Sequence, residues 1–178
     1  MKLFICSDIH GSAYYCKLML EKFEKSKSDK LILLGDILYH GPRNDLPREY
    51  NPKSVINMLN PYAEKILCVR GNCDTEVDQM VLKFPLLADY GFIQLGDRFA
   101  YLTHGHHIEE IPFCDGDTVI SGHTHIPRAE VQNGVLFINP GSISIPKENS
   151  PHSYIIFENN KFSFFDLDTD EVYKNYEL

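Results

Sequence analysis

The sequence contains no CxxC pair, no long apolar run and no surplus of basic residues. Its five cysteines (Cys6, Cys16, Cys68, Cys73 and Cys114) are odd in number and form no recognisable disulfide framework. Cys6 and Cys68 lie in apolar runs and read as small buried hydrophobes. A reducing, intracellular compartment is the simpler expectation. The opening "MKLFICSDIH" has one lysine and four apolar residues before polar chemistry begins. That is too short for a signal peptide or a membrane span, so a cytoplasmic protein without a membrane partner is expected. The net charge of -8 argues against a general nucleic-acid binder, and no basic patch is evident. It leaves an anionic substrate open, because bound cations can dominate the local field of a site. No repeat, low-complexity run or linker divides the chain, so one domain over residues 1–178 is expected. A chain of this length buries about two-thirds of its unfolded surface.

What is present divides into two halves. Leu3 to Cys6, Leu31 to Leu34 and Ile66 to Val69 are continuous apolar runs, as in strands covered on both faces. Helical patterns cover Ala13 to Lys25, Lys53 to Leu59 and Glu76 to Phe84. The stretch "LYHGPRNDLPREYNP" reads as a long surface loop, of a length that is often functional. Beyond it, "GFIQLGDRFAYLTHG" reads as strand, Gly-Asp turn and strand, and "DTVISGHTH" contains another strand. Two hairpins turn on Asn-Gly and Asn-Asn pairs. The aromatic-rich strand around Phe162, Phe164 and Phe165 is expected to cover the second sheet or to pair with another chain, which makes a homo-oligomer possible. The pattern implies an α/β protein with two packed sheets flanked by helices.

The residues with ligand chemistry are not scattered. Asp8 and His10 follow the first strand, Asp36 the second and Asn72 the third. His104 closes "AYLTH", and His123 and His125 follow "TVIS". Sites in α/β sheets gather at such carboxyl ends. In extended chain, residues two apart point the same way, so Asp8 and His10 are expected to aim at one ion, and so are His123 and His125. Gly11, Gly35, Gly71, Gly105 and Gly122 stand beside the candidates and leave room for sharp turns. A set of oxygen and imidazole donors without thiolate suits Mn, Fe, Co, Ni or Zn better than Ca. Seven ligands are too many for one transition ion but suit two ions sharing a carboxylate. Asp36, the isolated carboxylate of the set, is the expected bridge. Any one of these stretches alone reads as a turn. Five of them, each after a strand, do not.

"SDIHG", "LLGDI", "RGNCD", "LTHGH" and "SGHTH", in this order, resemble the motifs of the calcineurin-like metallophosphoesterases. The resemblance spans roughly residues 1 to 145. "GDILYHGPRNDLP" and "NPGSISIPK" resemble the small bacterial phosphodiesterases within that family. The resemblance implies a four-layer α-β-β-α sandwich of two mixed β-sheets flanked by helices. It implies Asp8, His10, Asp36 and His125 on one metal, and Asp36, Asn72, His104 and His123 on the other. Two divalent ions, most commonly Mn²⁺, would hold between them a hydroxide that attacks the phosphorus of a small phosphodiester. The Asn72 amide has an oxygen for a metal and an NH₂ for a phosphate oxygen.

Cys73 stands where many larger relatives carry a histidine thought to protonate the leaving group. A thiol is a poor general acid, so good leaving groups, or a substitute donor such as His106, are expected. Asp74 is either a carboxylate that orients His104 or another ligand, or an acid favoured at a helix N-terminus. His40, Arg43 and Arg48 are candidates for holding substrate, with a solvated loop as the alternative. His107 and His152 read as surface residues. A phosphomonoesterase would use the same ligands. A non-catalytic Vps29-like scaffold would share the fold but lack part of the set.

Overall fold

Strand β1 (Leu3–Cys6) is buried on both faces, and its side chains divide between two cores. Phe4 and Cys6 face a helical layer, whereas Leu3 and Ile5 face a second sheet. This is the two-residue alternation of an extended chain. β2 (Lys30–Leu33) repeats the division, with Leu31 and Leu33 on the helical side and Ile32 on the other. The computed structural model describes residues 1–96 and 98–178.

Helix α1 (Ala13–Ser26) starts at Ser12, whose side chain accepts the Tyr15 N–H, and ends at Lys27 in the left-handed region. Tyr15, Cys16, Met19, Leu20 and Phe23 form its buried stripe. α2 (Pro52–Leu59) is capped by Asn51 and buries Val55 and Leu59 in the same core. β3 (Ile66–Cys68) leads to α3 (Glu76–Val81), which stops three residues before the expected Phe84. Leu82 is extended, and Phe84 precedes Pro85, a position that disfavours helix.

The second half supplies β4 (Tyr90–Leu95), β5 (Arg98–Thr103), β6 (Thr118–Ile120), β7 (Arg128–Gln132) and β8 (Val135–Asn139). They form a mixed sheet in the order β4-β5-β6-β8-β7. The β4–β5 turn includes Asp97, so the expected Gly-Asp turn lies partly outside the described residues. Asn133 and Gly134 both take positive φ in the β7–β8 turn, as an Asn-Gly hairpin requires. β9 (Ser153–Glu158) and β10 (Lys161–Asp166) return to the first sheet. β11 (Val172–Glu177), which the sequence reading did not anticipate, pairs with β10. The first sheet is therefore β11-β10-β9-β1-β2-β3, also mixed. The Phe162–Phe165 strand covers the second sheet, one of the two expected roles: Phe162 and Phe164 lie in the core shared with Leu95, Ala100 and Leu102. Within this chain it is flanked by β9 and β11, so β11 rather than β10 forms the edge of the sheet.

Leu95, Ala100, Leu102, Ile120, Leu136 and Ile138 of the second sheet meet Leu3, Ile5, Ile32 and Ile155 of the first. Each such leucine or isoleucine, fully buried, contributes about 1.5–3 kcal/mol. The outer layer on the second sheet is thin. It is a loop containing one 3-10 turn (Ile108–Glu110), with Phe113 edge-on to Phe137 and the Tyr101 hydroxyl donating to the Pro112 carbonyl.

Candidate metal centre

The loops after β1, β2, β3, β5 and β6 meet at one end of the two sheets. The His10 N–H donates to the Asp36 carbonyl at 2.9 Å, and the Gly122 N–H to the His104 carbonyl at 2.9 Å. The His123 N–H donates to Asp8 Oδ2 at 3.1 Å and ties the second sheet to the first.

All seven expected ligands converge here, though not by the expected route. Asp8, His10, Asp36, His123 and His125 all have positive φ, between 48° and 66°. They lie on tight left-handed turns, not in extended chain. Such a conformation costs a non-glycine residue about 1 kcal/mol or more, and clusters at functional sites. Gly71 is required for a different reason: a Cβ there would lie 2.1 Å from Asp36 Oδ1. At Gly122 it would lie 1.9 Å from Ser7 Oγ and 2.9 Å from Asp8 Oδ2.

Three imidazoles are pinned by their outer nitrogens. Nδ1–H of His10 donates to the Tyr39 carbonyl (2.8 Å), that of His104 to Leu34 (2.6 Å) and that of His125 to Ile145 (2.6 Å). Each Nε2 then points inward as a donor atom for a cation. His123 is reversed and presents Nδ1, 3.2 Å from His104 Nε2. His10 Nε2 and His125 Nε2 are 3.3 Å apart, and His125 Nε2 is 3.2 Å from Asp8 Oδ1. Asp36 Oδ2 is 3.6 Å from His10 Nε2 and 3.4 Å from His104 Nε2. Asn72 Oδ1 is 3.1 Å from His104 Nε2.

So many lone pairs at such distances demand positive charge. Burial alone would raise Asp8, but the imidazoles of His10 and His125 beside it outweigh burial and hold the carboxyl well below its usual range. Burial alone would lower His104, but its bond to Asp36 and the nearby Asp8 charge lift it to about 9. Asp8 Oδ1 is buried without a hydrogen-bond partner. The donor set fits divalent transition ions: Asp8, His10 and His125 group on one side, and Asp8, Asp36 and His104 on the other.

Cys73 is close enough to group with His10 and Asp36. Burial and the Asp36 charge push its thiol up from the usual range, which disfavours a free thiolate nucleophile there. Asp74 does not reach His104, whose Nδ1 is occupied by Leu34. Its carboxylate instead accepts the N–H groups of Asp36 (2.8 Å), Ile37 (2.9 Å) and Gly71 (2.7 Å). Asp74 thus fixes the loop that carries the shared carboxylate.

A cavity of about 400 Å³ opens beside the centre, lined by Asp36, Asn72, Cys73, His123 and His125 and also by Arg43 and Lys147. His40 is not on its wall; its ring packs against Tyr39 and Tyr50. Arg48 stacks on Tyr14, 3.6 Å from the ring centroid. His106 lines a neighbouring cavity with Asn72 and Arg70. His107 is exposed as expected, but His152 is not a simple surface residue: it stacks on Tyr15 and shares a 2.8 Å hydrogen bond with its hydroxyl.

Sequence reasoning assigned no role to "NPGSIS". Ser142 Oγ and Ser144 Oγ both donate to the Asp8 carbonyl, and Asn139 Nδ2 to the Gly122 carbonyl. The asparagine, glycine and serines of that stretch were the available signal.

Comparison with known proteins agrees with this geometry. Phosphodiesterase YfcE of Escherichia coli K12 is 44% identical over 175 residues, covering 97% of this chain and 95% of that protein. The solved structure of YfcE, a phosphoesterase from E. coli, superposes with a TM-score of 0.94 at 43% identity, over 99% of both chains. Vps29 from Cryptosporidium parvum shares the fold (TM-score 0.66, 18% identity, 99% of this chain and 98% of that one). The family model of the calcineurin-like phosphoesterase superfamily domain matches residues 1–161, and the chain belongs to that superfamily.

Proposed function

We propose that this protein is a dimetal phosphodiesterase acting on small phosphodiesters in the cytoplasm, with Mn²⁺ as its ion. Asp8, His10, Asp36 and His125 would hold one ion, and Asp36, Asn72, His104 and His123 the other. Bound there, the two ions supply Lewis-acid charge to the phosphoryl group and lower the pKa of water. The observation that carries the reading is the inward aim of four imidazole nitrogens around two buried carboxylates, three of them locked by carbonyls behind. A scaffold has no need of a complete donor set on strained turns. The similarity to YfcE over nearly the whole chain supports a diester substrate.

The chain's own groups complete the site. Asn72 is exposed to the cavity, and its amide has an N–H to spare for a phosphoryl oxygen. The thiol of Cys73 is a weaker acid than usual, which makes it a poor substitute for an imidazole as general acid. Burial and the charge on His104 hold His106 below the usual imidazole range, so near neutral pH it offers one ring N–H, not a charged acid. The site therefore favours esters whose leaving groups need no protonation. Among the described residues no helix is long and apolar enough to cross a membrane.

The test is hydrolysis of bis(p-nitrophenyl) phosphate and p-nitrophenyl phosphate, side by side, with Mn²⁺ and then with EDTA. Diester cleavage that needs the metal and exceeds monoester cleavage is expected. Faster monoester cleavage would make the protein a phosphatase, and no cleavage of either would favour the scaffold.

A further inference from the structure

We propose that Arg43 and Lys147 hold a second phosphate, carried by one arm of the diester beside the scissile group. The inference rests on the dimetal phosphodiesterase reading and narrows its substrate class.

The cavity of about 400 Å³ is lined by two chemically different sets of residues. Asp36, Asn72, His123 and His125 belong to the metal centre, and Arg43, Asn44 and Lys147 line the same cavity. That volume is in the range of a small-molecule site, larger than one phosphate needs. Among the described residues neither Arg43 nor Lys147 takes part in an ion pair. Nearby arginines are spoken for: Arg48 covers Tyr14, and Arg70 donates to the Asp74 carbonyl and pairs loosely with Glu76. Asp36 is the single acid on the cavity wall, and it faces the metal donors. Two divalent ions outweigh the charges of Asp8 and Asp36 and neutralise a singly charged diester without further cations. The charge of Arg43 and Lys147 is then left for another part of the substrate.

Both cations sit on constrained turns. The Lys147 N–H donates to the carbonyl of His125 at 3.3 Å. The chain then turns through Glu148 (φ 54°) and Asn149 (φ 57°), and the Ser150 N–H closes on the Lys147 carbonyl at 3.0 Å. Arg43 lies between Gly41 and Asn44. A Cβ at Gly41 would lie 3.1 Å from Cys73 Sγ, and Asn44 Nδ2 donates to the His40 carbonyl at 2.8 Å. One turn is thus hung from a metal-ligand residue and the other rests on Cys73. Held so, a guanidinium and an ammonium present the fork and the point charge that bind phosphate.

The experiment is calorimetric titration of the Mn²⁺-loaded protein with propylphosphonate and with propane-1,3-diphosphonate, which differ by the second anion. The wild type is expected to bind the diphosphonate about tenfold more tightly. Arg43→Gln and Lys147→Gln, both at exposed positions, are each expected to erase most of that preference. Equal binding of the two ligands by a wild type that cleaves bis(p-nitrophenyl) phosphate would overturn the second-phosphate site alone. A preference that survives both substitutions would also overturn it. Loss of metal-dependent diester cleavage in the wild type would instead sink the underlying phosphodiesterase reading.

Discussion

Asp36 Oδ2 lies 3.4 Å from His104 Nε2, and the same oxygen lies 3.6 Å from His10 Nε2. One carboxylate oxygen therefore faces the donors of both halves of the centre, although His10 and His104 come from different sheets. Asp36→Asn replaces its charge while keeping its shape. Diester hydrolysis is expected to fall by more than the roughly 10–100-fold typical of losing a mere supporting partner. Steady-state rates at saturating Mn²⁺ check this, and a loss below tenfold would contradict the shared role.

Asp74 works one layer further out. Its carboxylate accepts three backbone N–H groups, from Asp36, Ile37 and Gly71, in a buried setting. In Asp74→Asn one acceptor oxygen becomes an NH₂ that opposes those donors. A stability loss of about 1–3 kcal/mol is expected, with a drop in Mn²⁺ affinity of about 10–100-fold. Urea denaturation and metal calorimetry measure the two effects. Unchanged metal affinity would show that Asp74 supports the fold without positioning Asp36.

Cys73 leaves the leaving group without a charged acid. An imidazole at this position would line the same cavity as Asn72 and Asp36. Cys73→His is therefore expected to speed cleavage of alkyl phosphate esters by about a hundredfold or more, the usual worth of a positioned general acid. Esters of p-nitrophenol should gain far less. Equal gains on both substrate classes would mean that His acts through something other than protonation.

Away from the centre, Asp170 fastens the end of the chain to α1. It accepts from Lys25 Nζ (2.6 Å) and the Tyr154 hydroxyl (2.7 Å), with Lys22 Nζ 3.5 Å away. Burial would raise its carboxyl, but these partners outweigh burial and hold it below the usual range. A lowered folded pKa stabilises above the unfolded value, about 3.9, and the gain drains away as the pH falls through the folded value. Asp170→Asn keeps a residue that tolerates φ 64°. It is expected to cost about 1 kcal/mol at pH 7, and the cost shrinks as the pH falls below the unfolded value and through the folded one. Thermal melts across that range decide, and a cost that does not shrink in acid would refute the ion-pair account.

The ligand positions were legible because each follows a strand whose apolar run the sequence displays, as "LLGD" shows for Asp36 and "TVISGHTH" for His123 and His125. The reason for their convergence was not. Alternation in an extended chain paired Asp8 with His10, which do meet, and His123 with His125, which do not: His125 Nε2 faces Asp8 and His10, whereas His123 Nδ1 faces His104. All four sit in left-handed conformations, which composition does not reveal. Asp74 and Lys147 illustrate a second limit. Asp74 acts on backbone N–H groups, and Lys147 reaches the cavity from a turn more than twenty residues beyond His125. Such contacts depend on loop packing between distant segments. β11 escaped notice because "VYKNYE" alternates half-exposed polar and aromatic residues at a sheet edge, a weak signal for a strand.

The most direct measurement is equilibrium dialysis of the metal-free protein against Mn²⁺, with metal counted per chain. Two ions per chain in the wild type, and weakened binding at both sites in Asp36→Asn, are the expected results. One ion per chain, or two that bind Asp36→Asn as tightly as the wild type, would contradict a centre built on a shared carboxylate.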